Sequence, residues 1–294
     1  MRMIEPAAET LQAALGGDLK AVDAVLAGVQ RGVFNLALRM LGNRDDAADA
    51  TQEILLKVVT HLSGFRGGSA FTTWVWRIAR NHLLTARTRT VESPEVSFDA
   101  LAEKLGAGLD IADRLPRADG DRLLTPEEKL EARQVAVSCT QSMLMALDRD
   151  QRLVYLMDSV FDLSSADAAQ VLDIGAEAYR QRLSRAKARL EPFMQAQCGL
   201  VNDAARCRCD RQSRVLKHLN ATPGARPDGG ARAAIALRPV ELAEAERTFA
   251  AYGRVVDAAA VFRSVPELAA PESMRTAIRA VLVQEGFMDD RPSH

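Results

Sequence analysis

Strand-forming patterns are almost missing from this sequence. Alternating runs of β-branched residues bounded by turns hardly occur, and aromatics make up only 5 % of the chain. That excludes sandwiches and barrels, and with them any glycine-rich phosphate loop that must follow a strand. The histidines, His61, His82, His218 and His294, share no paired ligand spacing, so a histidine-based metallohydrolase is excluded too. Four cysteines in 294 residues are too few for a disulfide framework and suit a reducing compartment. The net charge is −1, so the chain lacks the global basic field of a nonspecific DNA binder. No apolar run approaches the roughly 18–20 residues that span a bilayer. Met1 to Thr10 lacks the basic-then-apolar order of a secretory signal. The expectation is a cytoplasmic protein without a membrane segment.

What is present is helical. Charged residues are 26 % and hydrophobic ones 48 %, alanine is abundant, and apolar residues recur at three-and-four spacing. The chain is read as all-α: two small helical domains joined by a flexible linker, plus a helical C-terminal extension. The boundaries are 1–90 for the first domain, 91–124 for the linker and 125–194 for a second domain with a helix-turn-helix pattern. A Cys-containing segment covers 195–219, and a further linker with the extension covers 220–294. In the linker, Pro94, Gly106, Gly108, Pro116 and Gly120 are expected to break any long helix. Thr125-Pro-Glu-Glu marks a helix start with an N-cap, a first-turn proline and two acids.

Two blocks carry the functional signal. In the first, Gly42 to Val58 reads G-N-R-D-D-A-A-D-A-T-Q-E-I-L-L-K-V. Ala47, Ala50, Ile54, Val58 and Leu62 form its apolar stripe, while Asp46, Asp49 and Glu53 form an acidic row with Gln52 beside it. Phe65 to Asn81 then reads F-R-G-G-S-A-F-T-T-W-V-W-R-I-A-R-N, a loop leading into an aromatic and basic helix. Phe71, Trp74, Val75, Ile78 and His82 can share its buried face, leaving Thr73, Arg77, Arg80 and Arg87 near another with Trp76 adjacent. Aromatic faces such as Phe65, Phe71 and Trp76 can stack on unpaired bases.

In the second block, a short helix capped by Ser164 or Ser165 meets a tight Asp173-Ile174-Gly175 turn. A basic helix follows from Ala176 to Leu190, with Pro192 just past its end. Tyr179, Leu183, Ala186 and Leu190 would pack inward. Glu177, Arg180, Gln181, Ser184 and Arg185 are the candidate base readers, and Arg182, Lys187 and Arg189 suit phosphates.

The first block resembles region 2, and the second region 4, of bacterial sigma factors of the extracytoplasmic-function class. The resemblance implies that Asp46, Asp49, Gln52 and Glu53 dock on core RNA polymerase. It also implies that Phe65, Arg66, Ser69, Phe71, Thr73, Trp76, Arg77 and Arg80 engage the promoter −10 element, and the second basic helix the −35 element. Promoter DNA and core polymerase are the implied partners, with an anti-sigma protein as a further candidate. Two other readings stay open: a helix-turn-helix regulator independent of polymerase, and an adaptor that binds only proteins. No catalytic group is needed and no cofactor is required. Cys198, Cys207 and Cys209 could hold zinc, act in redox chemistry or simply pack, and Arg206, Arg208 and Arg211 are expected to lower their pKa values. Cys139, in an apolar helix, reads as packed.

Overall fold

A computed structural model describes residues 3–85, 97–115, 124–221, 237–252 and 257–284. Among them every extended element is a helix, apart from one isolated bridge between Cys198 and Cys207. The helices are α1 (Ala8–Leu15), α2 (Leu19–Leu41), α3 (Arg44–Thr60), α4 (Phe71–Thr85) and α5 (Phe98–Arg114). Then come α6 (Pro126–Met145), α7 (Arg149–Tyr155), α8 (Ser165–Leu172) and α9 (Ala176–Gln197). The chain ends with α10 (Cys209–Ala221), α11 (Pro239–Tyr252), α12 (Ala258–Arg263) and α13 (Ser273–Gln284). They divide into two compact units. The first comprises Met1–Arg89, Leu156–Gln181 and Glu267–His294, and the second Thr90–Tyr155 and Arg182–Pro266.

The first unit is organised on α2. Asp18 caps its start by accepting from Ala21 N at 2.8 Å, and Gly42, at φ 74°, ends it. From Gly32 to Leu41 every residue is buried, beneath α1, α3, α4 and α13. Long and apolar, α2 could by length and composition alone cross a membrane, contrary to the sequence expectation. Its apolarity has a local cause, since neighbours cover it on several sides. Two glycines four residues apart let the N-terminal segment lie directly on it. Ile4 N donates to Gly28 O at 3.0 Å, and a Cβ on Gly32 would stand 2.6 Å from Met3 Cγ.

In the second unit α10 packs on α6 and α5, and α11 on α6. A full capping box joins Thr125 and Glu128 at the start of α6. The expected break at Gly106 and Gly108 does not occur, because α5 runs through both. Ser97 caps it, and Gly108 is where the Gln212 side chain crosses, so a Cβ there would collide with Gln212. Gln212 Nε2 donates to Leu105 O at 3.1 Å. Tertiary packing thus outweighs glycine's poor helix propensity. The helix expected to end before Pro192 also continues, to Gln197. Proline removes one donor, and the exposure of Ala188 one turn earlier lets that carbonyl turn to water. Pro94, Arg87, Pro116, Gly120 and the Pro/Gly segment after Ala221 lie outside the described residues.

Arg152, 2 % exposed, ties the α6–α7 connection together. It donates to Leu144 O at 2.8 Å, Leu147 O at 2.9 Å and Met145 O at 3.2 Å. Arg152→Ala removes these three bonds, with Leu144 O keeping its backbone donor Leu147 N, and is expected to lower stability by about 2–3 kcal/mol. The readout is a lower urea midpoint at unchanged slope; a loss under about 0.5 kcal/mol would mean that water satisfies the carbonyls equally well.

Candidate nucleic-acid and polymerase surfaces

The loop before α4 is open and walled by aromatics. Gly67 sits at φ 72°, and a Cβ on Gly64, Gly67 or Gly68 would meet nothing within 4 Å. Phe65, Phe71 and Trp74 form a three-ring cluster, with centroids 5.5–5.6 Å apart. Phe71 is fully buried at its base, Phe65 and Trp74 are half-buried, and Arg66 is exposed. Ser69 Oγ donates to Ala70 O at 3.2 Å, within the loop itself. Both Glu5 oxygens cap the helix that follows, accepting from Phe71 N at 2.6 Å and Thr72 N at 2.9 Å. A carboxylate there satisfies two orphan donors and complements the helix dipole. With 66 residues between the partners, nothing local in the sequence announces this cap.

The inner face of α4 differs from the expected one. Trp76, 5 % exposed, is a core residue, and its ring meets Phe161 edge-on at 5.0 Å. Thr73 is buried as well, whereas Trp74, Ile78 and His82 are half-buried. The reason is α8, which packs on α4 within the first unit. Arg77 Nε donates to Gln170 O at 3.0 Å and Arg80 Nη2 to Leu172 O at 2.5 Å. These carbonyls belong to the last turn of α8, where the dipole favours cations. Of the residues expected to face DNA, Thr73 and Trp76 are therefore buried, and Arg77 and Arg80 are bonded to α8. His82 also lies close to Lys57 Nζ, at 3.0 Å, and to Glu53, at 3.8 Å; burial first and Lys57 second lower its pKa, against Glu53.

The turn after α8 forms as the sequence suggests. Ser164 caps α8, and Asp173, at φ 53° and ψ 47°, takes the left-handed conformation at its end. Tyr179 is fully buried in the first turns of α9, and burial together with Asp158 holds its hydroxyl protonated. Glu177, Arg180, Gln181, Ser184 and Arg185 are all exposed. Glu177 accepts from Arg180 Nη2 at 2.6 Å and from Gln181 Nε2 at 3.3 Å, and these bonds lower its pKa. Farther along, Arg182 lies 3.6 Å from Asp150 and Arg189 donates to Gln151 Oε1 at 2.8 Å. Lys187 is half-buried.

On α3, Asn43 caps the start by accepting from Asp45 N at 2.8 Å and Asp46 N at 3.1 Å. Asp49 and Glu53 are exposed, Asp46 and Gln52 half-buried. Thr51, Leu55 and Val59 are buried beside the expected stripe, because α2, α4 and α13 all cover this helix.

At the Cys segment, Cys198 and Cys207 are bridge partners and Gly199 N donates to Cys207 O at 3.2 Å. Burial raises the pKa of Cys198, Cys207 and Cys209, which corrects the expectation that neighbouring arginines dominate. The amides of Leu200 and Val201 bond Cys198, and Arg208 acts on both Cys198 and Cys207; these pull the other way and lose. Cys139 is pushed up to about 12 by burial, then by Cys198 and Cys207, so all four thiols lie in one neighbourhood. Among the described residues no three His, Cys, Asp or Glu side chains form a ready-made metal site.

These surfaces coincide with known families. Residues 27–91 match Sigma-70 region 2, and residues 138–190 match Sigma-70, region 4. The ECF RNA polymerase sigma-E factor of Escherichia coli (strain K12) is 30 % identical over 183 residues, covering 61 % of this chain and 89 % of that one. The chain belongs to the extracytoplasmic-function sigma factors of the sigma-70 family. The RNA polymerase sigma-H factor of Pseudomonas aeruginosa is 27 % identical over 187 residues, again covering 61 % of this chain and 89 % of that one. A co-crystal structure of the sigma factor RpoE with the anti-sigma factor NepR from Bartonella quintana covers 60 % of this chain and 98 % of that one, at 20 % identity and a TM-score of 0.38. This sigma factor acts with core RNA polymerase and promoter DNA in promoter recognition and transcription initiation.

The contact of α4 with Phe161, just before α8, gives an optical test. In a Trp74→Phe chain, the remaining Trp76 should emit at short wavelength and resist acrylamide quenching. Adding Phe161→Ala should shift the emission to the red and raise quenching. Solvent-like quenching in the Trp74→Phe chain alone would mean that the Phe161 segment does not cover α4 in solution.

Proposed function

We propose that this sigma factor docks on core polymerase through Asp46, Asp49, Gln52 and Glu53 of α3. The loop from Phe65 to Phe71 and α4 read and melt the −10 element, and the N-terminal half of α9 reads the −35 element. The observation that carries the −35 assignment is the exposed row Glu177, Arg180, Gln181, Ser184 and Arg185, which follows a left-handed turn and has buried Tyr179 behind it. Arginine and glutamine there can make bidentate contacts to guanine and adenine edges. The open, aromatic-walled loop supports melting, which needs only a site that binds an unpaired base better than the stack does. Phe65 and Trp74, half-exposed, are the rings best placed to receive such a base.

On this reading the free chain is closed to −10 DNA. Arg77 and Arg80 must exchange carbonyls of α8 for phosphates, so α8 has to leave α4 before that element is read. Core polymerase, by separating the two, converts a weak DNA binder into a specific one. The protein performs no bond chemistry itself and works in the cytoplasm.

For the Cys segment, zinc on Cys198, Cys207 and Cys209 is supported by the backbone pairing of Cys198 with Cys207 and by the amide bonds to Cys198, and it would require these side chains to be drawn together, since among the described residues they do not form a metal site as they stand. Metal would deprotonate the thiols, reversing the cost that burial imposes on the thiolates. Elemental analysis of reduced protein should find about one zinc per chain, with proton release on binding. Stoichiometric absence of metal, with normal transcription by the triple Cys→Ser variant, would leave packing as their role.

Transcription in vitro with core polymerase tests the −35 assignment. Arg185→Ala or Gln181→Ala should reduce −35-dependent initiation by about 1–3 kcal/mol, with relaxed specificity at one base position. Lys187→Ala should weaken all promoters evenly. Equal loss on every promoter variant for Arg185→Ala would make it a phosphate contact.

A further inference from the structure

The part of the chain beyond region 4 reaches back to the first unit. Asn35 Nδ2 donates to Leu268 O, and Leu268 N donates to Asn35 Oδ1, each at 2.9 Å and buried. This is the pairing that one strand offers another, made here by a side-chain amide. Arg39 Nη1 lies beneath it, donating to Asn35 Oδ1 at 3.2 Å and Asn35 O at 3.4 Å. Burial lowers the Arg39 pKa to about 10, an effect that the charge of Glu267 opposes. Glu267 also approaches Arg31, at 3.9 Å, and Arg275 pairs with Asp23 at 3.1 Å. From there α13 buries Met274, Ile278 and Leu282 and lies on α2 and α3.

We propose that residues 267–284 form an intramolecular strap that competes with core RNA polymerase for the α2–α3 surface flanking the docking row, leaving Asp49 and Glu53 themselves exposed in the closed chain. This rests on the assignment of α3 as the docking helix. Three features fit a strap that lets go. Its anchor is polar, so Asn35 and Arg39 regain water when Leu268 leaves, whereas prising open an apolar core exposes surface that water does not repay. Its grip is small, since four of its apolar side chains, Leu268, Met274, Ile278 and Leu282, are buried, against the entropy of ordering the whole segment. Its charge pattern suits its neighbour, for α13 carries Arg275 and Arg279 at four-residue spacing beside an acidic helix. Being tethered, the strap needs little intrinsic affinity to stay closed.

The expected effect follows from population arithmetic. A strap closed about nine-tenths of the time lowers the apparent affinity for core about tenfold. The experiment measures core binding by the full chain and by Ile278→Asp, with thermal melting to verify folding. Hydrogen exchange of residues 267–284 is followed in the free and core-bound chain. Ile278→Asp should bind core about tenfold more tightly, and core should strip protection from α13 in the native chain. Unchanged or weaker binding by folded Ile278→Asp, or protection retained in the complex, overturns the strap. If that variant does not fold, Arg275→Glu, which breaks the exposed pair with Asp23, should still raise affinity about threefold; no gain overturns the proposal. The reversal Asp49→Lys with Glu53→Lys reads the docking row separately. Unchanged affinity there would move docking off that row, while a gain from Ile278→Asp would still support competition by the strap.

Discussion

Nearly everything in the first unit depends on covering α2. A helix whose residues from Gly32 to Leu41 are all buried is not half-in and half-out; it must be surrounded. The N-terminal segment covers it at Gly28 and Gly32, where the missing Cβ atoms allow backbone to approach closely. Helices α1, α3, α4 and α13 also pack on it. Within that apolar helix Asn35 and Arg39 are a liability, because a buried amide or guanidinium without partners costs several kcal/mol. Leu268 supplies two bonds to the Asn35 side chain, whose Nδ2 also donates to Arg31 O within α2, and Asn35 in turn accepts from Arg39. The C-terminal extension is therefore part of the solvation of this core.

The DNA-facing elements inherit their positions from that arrangement. Helix α4 lies on α2 and α3, so its start, and the loop before it, project from a rigid base. Glu5, delivered by the same N-terminal segment that crosses α2, fixes the first turn of α4. The ring cluster of Phe65, Phe71 and Trp74 then stands at the junction of loop and helix with one member anchored and two available. The capture of an unpaired base, as proposed, would use this combination of open glycines and a stiff aromatic wall.

Much of this was legible in the sequence, and what was not has a common cause. The acidic helix, the Thr125 capping box, the Ser164 cap and the left-handed Asp173 follow from residues a turn apart, and local chemistry decides them. The exposed row on α9 follows from the same three-and-four spacing. Interactions across long separations override local signals elsewhere. Gly106 and Gly108 look like breakers until Gln212 is seen crossing at Gly108. Pro192 looks like a stop, but a proline with a solvated carbonyl one turn earlier can be accommodated. The choice between Trp74 and Trp76 as the core residue cannot be made from α4 alone, since Phe161 on a distant segment decides it. Glu5, Asn35 and Leu268 carry no motif at all.

The near-zero net charge acquires a physical meaning from where the cations are. A protein that neutralises DNA phosphates gains affinity by releasing counterions, and it gains less when its own groups already supply the counter-charge. In this chain Arg77 and Arg80 are engaged by carbonyls at the end of α8. Arg180 is held by Glu177, and Arg182 and Arg189 lie near Asp150 and Asp148. Each phosphate contact therefore replaces an existing bond, and the net gain is the difference between two similar terms. Exposed pairs of this kind exchange at little cost, whereas α4 also buries Trp76 against Phe161, a packing contact that side-chain rotation of Arg77 and Arg80 does not touch. On the proposed reading, base contacts by α9 would need side-chain motion alone while contacts by α4 would need a change of packing, which would place the melting contact second.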